Sequence, residues 1–128
     1  MNDTFKQGSR GGVFEFASSN ELWRASLDVI DFMPLSSVNY SGGIIITDWY
    51  SEKNSPNESI KISIRFLTNE IRSDALDVKI FSRKCIDTLI NCSVSNLSGN
   101  LPTEIKKEIL KKAARYKKQE VEESPDKD

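Results

Sequence analysis

Residues 59–67 read Ser-Ile-Lys-Ile-Ser-Ile-Arg-Phe-Leu, and this stretch decides the fold. Ile60, Ile62, Ile64 and Phe66 alternate with Lys61, Ser63 and Arg65, the period of two that gives a β-strand one dry face and one wet face. A wet face points to an antiparallel sheet, because parallel sheets are covered on both sides. Downstream, Leu76, Val78 and Ile80 share one parity, with Asp77, Lys79 and Arg83 on the other. The connector TNEIRSD, residues 68–74, predicts that these two runs are antiparallel neighbours. Upstream, Ser36 to Tyr40 and the run IIITDWY flank Gly42-Gly43, a hairpin or bulge signal between β-prone segments. Residues 51–58, SEKNSPNE, read as a loop, and LINCSV after the second run is a weaker strand that pairs back on it.

Helical periodicity brackets these strands. Ser18 and Glu21 have capping-box spacing. The run that follows carries Leu22, Ala25, Ser26, Val29 and Met33 at helical spacing, widened by Trp23, Leu27 and Ile30. A helix is predicted over residues 20–33, closed by Pro34. In TEIKKEILKKAARYKKQ, Ile105, Ile109, Ala113 and Tyr116 mark a stripe with Leu110 beside it, and a second helix is predicted over 102–118. The sequence therefore reads as an α+β two-layer sandwich, an antiparallel sheet of about four strands with an N-terminal and a C-terminal helix on one face. The domain is expected over 18–118, after a flexible leader at 1–17 containing Gly8, Gly11 and Gly12. A solvated acidic tail is expected at 119–128, where five acids stand against Lys127.

Composition narrows the chemistry. The chain has 128 residues, 38 % hydrophobic and 29 % charged, so it affords one packed core without a metal or disulfide staple. Its net charge of −1 lacks the positive field of nucleic-acid binders, and nucleic acid is not expected as a partner. There is no histidine, which removes the commonest acid, base and metal ligand at neutral pH. No catalytic residue, metal site or cofactor is assigned. Asp48 is an isolated carboxylate in an apolar strand and reads as a turn or strand-end group. Asp74 and Asp77 read as a turn and a wet sheet face. Cys85 and Cys92 have neither zinc-knuckle nor thioredoxin spacing. If CIDTLINC turns back as a hairpin, they face each other as a disulfide in an oxidising compartment; in the cytosol they are two reduced thiols. Seven lysines and arginines between Lys106 and Lys118 oppose Glu104 and Glu108. They read first as a solvated helix face and second as a contact for anionic lipid or an acidic partner.

Trp49 and Tyr50 are neighbours in a strand, so one of them points away from the helices. With Lys61, Arg65 and Lys79 they are the candidate protein-contact residues, because aromatics and arginine dominate interface energetics.

Leu22-Trp23-Arg24-Ala25, Phe32-Met33-Pro34-Leu35, Gly42-Gly43, Ile46-Thr47-Asp48-Trp49-Tyr50 and Pro56-Asn57-Glu58 together carry a resemblance. They resemble a family of alphaproteobacterial proteins called domain of unknown function 3576, whose members are typically cell-envelope lipoproteins. More distantly, a tryptophan-bearing helix followed by a strand, a glycine turn and a strand ending in Asp-Trp is similar to the helix-grip domains of the BamC lipoprotein. The resemblance implies a place in the periplasm at the outer membrane, and partners among envelope proteins such as the outer-membrane assembly machinery. Membrane contact is then expected only through a lipid anchor on a segment absent from this chain. The expected function is a non-enzymatic interaction or assembly module. The alternative is a carrier of small apolar ligands in a cavity between sheet and helix.

Overall fold

A computed structural model describes residues 20–87, 90–97 and 99–123, with the side chains of 121–123 left aside. The leader at 1–17, Ser18 of the expected capping box and residues 124–128 of the expected tail lie outside the described residues. The chain runs α1 (Glu21–Val29), β1 (Leu35–Asn39), β2 (Ile44–Thr47), β3 (Glu58–Phe66), β4 (Leu76–Asp87), β5 (Ile90–Asn96) and α2 (Leu101–Glu123). The strands form one antiparallel meander in the order β1-β2-β3-β4-β5. Among the described residues the architecture is thus the expected α+β sheet with two helices, with five strands rather than about four.

Register follows the alternation in sequence. Ile45 lies opposite Ile64, Ile64 opposite Val78, and Ile62 opposite Ile80. These side chains share one face and are buried there with Leu76. Leu22, Trp23, Ala25 and Ile30 of the α1 segment and Ile109 and Ala113 of α2 close the same core. Trp23 sits at the turn end of the β1–β2 hairpin, its ring centroid 5.0 Å from those of both Tyr40 and Phe66. Gly43 turns that hairpin with φ 66°, a left-handed conformation that costs glycine little. Its carbonyl accepts from the Phe66 N–H at 2.7 Å.

Three helix boundaries differ from the sequence reading. Asn20, not Ser18, caps α1, its side chain accepting from the Trp23 N–H at 3.0 Å. The helix ends at Val29, four residues short of the predicted end, and Ile30 to Met33 continue as turns whose Ile30 and Met33 still reach the core. At the other end α2 continues through Gln119 to Glu123, where the acidic tail was expected to begin. From Tyr116 to Glu120 the helix meets α1. Tyr116 donates a hydrogen bond to the Asp28 carboxylate, and the Arg24 guanidinium stands 4.0 Å from the Tyr116 ring centroid. The hydrogen bond to Asp28 pushes the Tyr116 hydroxyl above its ordinary value.

Glu120 meets Glu21 one turn beyond. The hydrogen bond between these carboxyls, then slight desolvation and like charge, raise the Glu120 pKa, with Arg24 and Lys117 opposing. A carboxyl whose pKa is higher folded than unfolded stabilises the fold at low pH, and that contribution disappears as pH rises through the folded value. Glu120→Gln is therefore expected to steepen the loss of stability in acid. The difference in thermal midpoint between wild type and variant, followed from neutral pH into the acid range, is expected to move in favour of wild type as pH falls.

Candidate functional site: the outer face of the sheet

The face opposite the helices is built from the other parity of each strand. It carries Ile44 and Ile46 from β2, Lys61 and Arg65 from β3, Asp77, Lys79, Phe81 and Arg83 from β4, and Val94 from β5. What makes it more than a wet face is an irregularity between β2 and β3. Ile46 pairs with Ser63, whereas Tyr50 pairs with Ile60, so four residue steps on one strand run against three on the other. The extra residue is a bulge, and a bulge reverses which face each following side chain takes.

The consequence falls on the aromatic pair. Ile45 and Thr47 point into the core, and an unbroken alternation would send Trp49 after them. Instead Tyr50 shares the face of Ile60, held by bonds of 2.8 and 2.9 Å between the two backbones. It packs against the core, with Phe32 edge-on at 5.4 Å between centroids. Trp49 is thereby turned to the outer face. There its ring lies 4.5 Å from the Arg83 guanidinium and 5.1 Å from the Lys61 ammonium, measured to the ring centroid. Both distances are in the range of cation–π attraction. The Arg83 Nε–H also donates to the Ser59 hydroxyl at 3.2 Å, which fixes the guanidinium plane over the ring.

The bulge has a named support. The Ile62 N–H, which the extra residue leaves without a strand partner, donates to the Thr47 hydroxyl oxygen at 2.9 Å. The same hydroxyl donates to the Asp48 carbonyl at 3.0 Å. The Asp48 N–H donates to the Pro34 carbonyl at 2.9 Å, so the backbone of Asp48 closes the corner while its side chain is exposed.

Of the residues singled out in sequence, the structure brings Trp49 and Lys61 together. Arg65 and Lys79 share their face but lie toward the other end of the strands, Arg65 opposite Asp77 and Lys79 within 3.8 Å of the Asp77 carboxylate. Tyr50 is corrected: it belongs to the helix side. Arg83 is the residue that the candidate set lacked. Its parity already placed it on the wet face of β4, but only the register, Arg83 opposite Ser59, brings it to Trp49. Asp74, expected at a turn, holds Arg72 at 2.7 Å in the β3–β4 connector.

Cys85 and Cys92 form a disulfide on the same outer face, at directly opposed positions of β4 and β5. The Cys85 N–H bonds away from β5, to the Asn57 carbonyl at 2.9 Å. The pair therefore occupies the narrow site of the ladder, where no backbone bonds separate the strands and opposed side chains stand closest. The hairpin reading of CIDTLINC holds.

The geometry defines the class: a two-layer α+β domain whose helix-free sheet face carries an aromatic residue stacked between cations, beside a cross-strand disulfide. The chain belongs to the family described as domain of unknown function DUF3576, whose pattern matches residues 16–118. Uncharacterized protein RP420 of Rickettsia prowazekii is similar to it, 42 % identical over 86 residues, covering 66 % of this chain and 52 % of that protein. The chain thus spans about half the length of that curated relative. No solved structure matches it significantly. Among the described residues, no helix is long and apolar enough to cross a membrane.

Thr47→Val keeps the volume and the β-branch but removes the acceptor that supports the bulge. Leaving the buried Ile62 N–H unpaired is expected to cost about 1–3 kcal/mol in urea unfolding. Thr47→Ser, which keeps the hydroxyl, is expected to recover most of the hydrogen-bond loss. A loss in Thr47→Ser with none in Thr47→Val would show that the methyl, not the hydroxyl, supports the corner.

Proposed function

We propose that this domain is a non-enzymatic cell-envelope module that binds an acidic protein surface through the outer face of its sheet, centred on Trp49. The observation that carries this reading is the bulge, which turns the larger aromatic of the pair away from the core and sets it between Lys61 and Arg83. Burying Trp49 on the helix side would have been the cheaper use of an apolar ring. Charge supports the choice of partner. Lys61, Arg65, Lys79 and Arg83 project from this face against Asp77, in a chain whose net charge is −1. An acidic partner is steered to such a face and held by stacked aromatic and guanidinium groups. The disulfide supports the compartment, since such bonds persist in the periplasm and are reduced in the cytosol of most mesophiles. The envelope location that the resemblance of this chain to the family implies agrees with that placement.

The test is capture of native envelope proteins by the tagged domain in three forms: wild type, Trp49→Ala/Arg83→Ala, and Lys111→Gln/Lys112→Gln/Arg115→Gln on α2. A single acidic envelope protein is expected to be retained by wild type and the α2 variant. The face variant is expected to lose at least about tenfold, the cost of two interface anchors of roughly 1 kcal/mol each, with its thermal midpoint nearly unchanged. Binding that survives the face variant and fails in the α2 variant would move the contact to the helix and overturn this reading. Recovery of the native protein in the cytosolic fraction with reduced cysteines would overturn the envelope placement.

A further inference from the structure

Among the described residues the meander has two edge strands, and they are not alike. β1 is blunted: it is five residues long, follows Pro34, and its register slips between Leu35 and Ser37, features by which proteins protect an edge from pairing. β5 keeps its one irregularity, Asn91 at φ 54°, to the end nearest its turn. Its seven residues, Ile-Asn-Cys-Ser-Val-Ser-Asn, contain no charge and no proline, pair with β4 in continuous register from Cys92 to Asn96, and are exposed throughout. Val94 and Ile90 stand 58 % and 55 % exposed.

The ladder shows which backbone groups are free. The Leu97 N–H donates inward to the Ile80 carbonyl at 2.7 Å, and backbone direction alternates along a strand. Ser95 and Ser93 therefore also bond toward β4. Cys92, Val94 and Asn96 direct their N–H and C=O groups out of the sheet.

From this we infer that β5 is a dimerisation edge that pairs antiparallel with β5 of a second copy of this chain, joining two five-stranded sheets into one. The occupant is a second copy because the strand is self-complementary. Centred on Ser93, the pairing sets Cys92 opposite Val94 of the other copy and Val94 opposite its Cys92. The outward backbone groups of these residues then meet outward groups of the other copy. No like charges oppose each other, since the strand has none, whereas a partner selected by charge would need a charged edge to read. Ser93 and Ser95, on the helix side, are small enough for two such strands to approach. The disulfide locks the inner neighbour of this edge, Cys85 to Cys92, and so holds β5 extended before it pairs. The twofold arrangement is closed: both helix layers lie on one side and both Trp49 faces on the other. A β1-to-β5 pairing would instead propagate into open chains. This inference is independent of the proposed acidic partner.

Sedimentation equilibrium of the oxidised protein tests it, with three variants. The wild type is expected to sediment at twice the chain mass. Val94→Pro removes an outward N–H and spares the β4–β5 ladder, as proline on an edge strand can. It is expected to sediment as a monomer with an unchanged intramolecular disulfide. Val94→Lys, which opposes like charges across the axis, is expected to be monomeric as well and covers the case in which the proline variant does not fold. Lys111→Gln on α2 is expected to remain dimeric. A monomeric wild type, a dimer that persists in Val94→Lys, or a ladder of higher multiples would each overturn the inference, the first leaving β5 to a strand of another protein.

Discussion

One hydrogen bond, from the Ile62 N–H to the Thr47 hydroxyl, decides what the sheet shows to its surroundings. A strand assigns its side chains to two faces by simple alternation, and in β2 that alternation is set by Ile45 and Thr47, both fully buried. Left alone it would carry Trp49 into the core and Tyr50 to the surface. The extra residue at the corner reverses the assignment, but a bulge leaves a backbone donor without its ladder partner, and an unpaired buried N–H is costly. Thr47 supplies the acceptor from its side chain. It is the residue type suited to the place, β-branched for the strand and hydroxyl-bearing for the orphan donor.

The rest of the outer face depends on that reversal. Once Trp49 is outside, the antiparallel register does the remaining work. Lys61 and Arg83 stand on adjacent strands, displaced by one pair, and both reach the ring. Ser59, opposite Arg83, holds the guanidinium. The isoleucines of the other parity meanwhile anchor the sheet to α1 and α2, so the face is presented by a rigid layer rather than by loops. A contact surface on strands keeps its groups where they are before a partner arrives, which lowers the ordering cost of binding.

Much of this architecture was legible in the sequence. The strict alternation in SIKISIRFL and in Leu76 to Ile80 fixes two central strands and their buried face, and Gly42-Gly43 marks the hairpin before them. The helix stripes name Leu22, Ala25, Ile109 and Ala113, all buried. The end of α1 was less legible because Ile30 and Met33 continue the apolar spacing through turns that are no longer helical. The extent of α2 was hidden by composition, since an acidic segment reads as solvated tail until its contact with α1 is known. The bulge was not legible at all. Ile-Ile-Ile-Thr-Asp-Trp-Tyr has no glycine or proline to flag an extra residue, and the hydrogen bond that permits it comes from a residue fifteen positions away. For that reason the sequence identifies the pair Trp49 and Tyr50 but leaves open which of them faces out, and it offers Arg65 and Lys79 where register supplies Arg83.

Trp49 can be made to report its own side of the sheet, because the chain contains two tryptophans and the other, Trp23, lies in the core. In a Trp23→Phe background all tryptophan emission comes from Trp49, and its quenching by iodide and by caesium reads both exposure and local charge. A ring on the outer face between Lys61 and Arg83 should be quenched efficiently by the anion and weakly by the cation, with the preference lost in Lys61→Gln/Arg83→Gln. Blue-shifted emission quenched by neither ion would place Trp49 in the core and contradict the reversal on which the account rests.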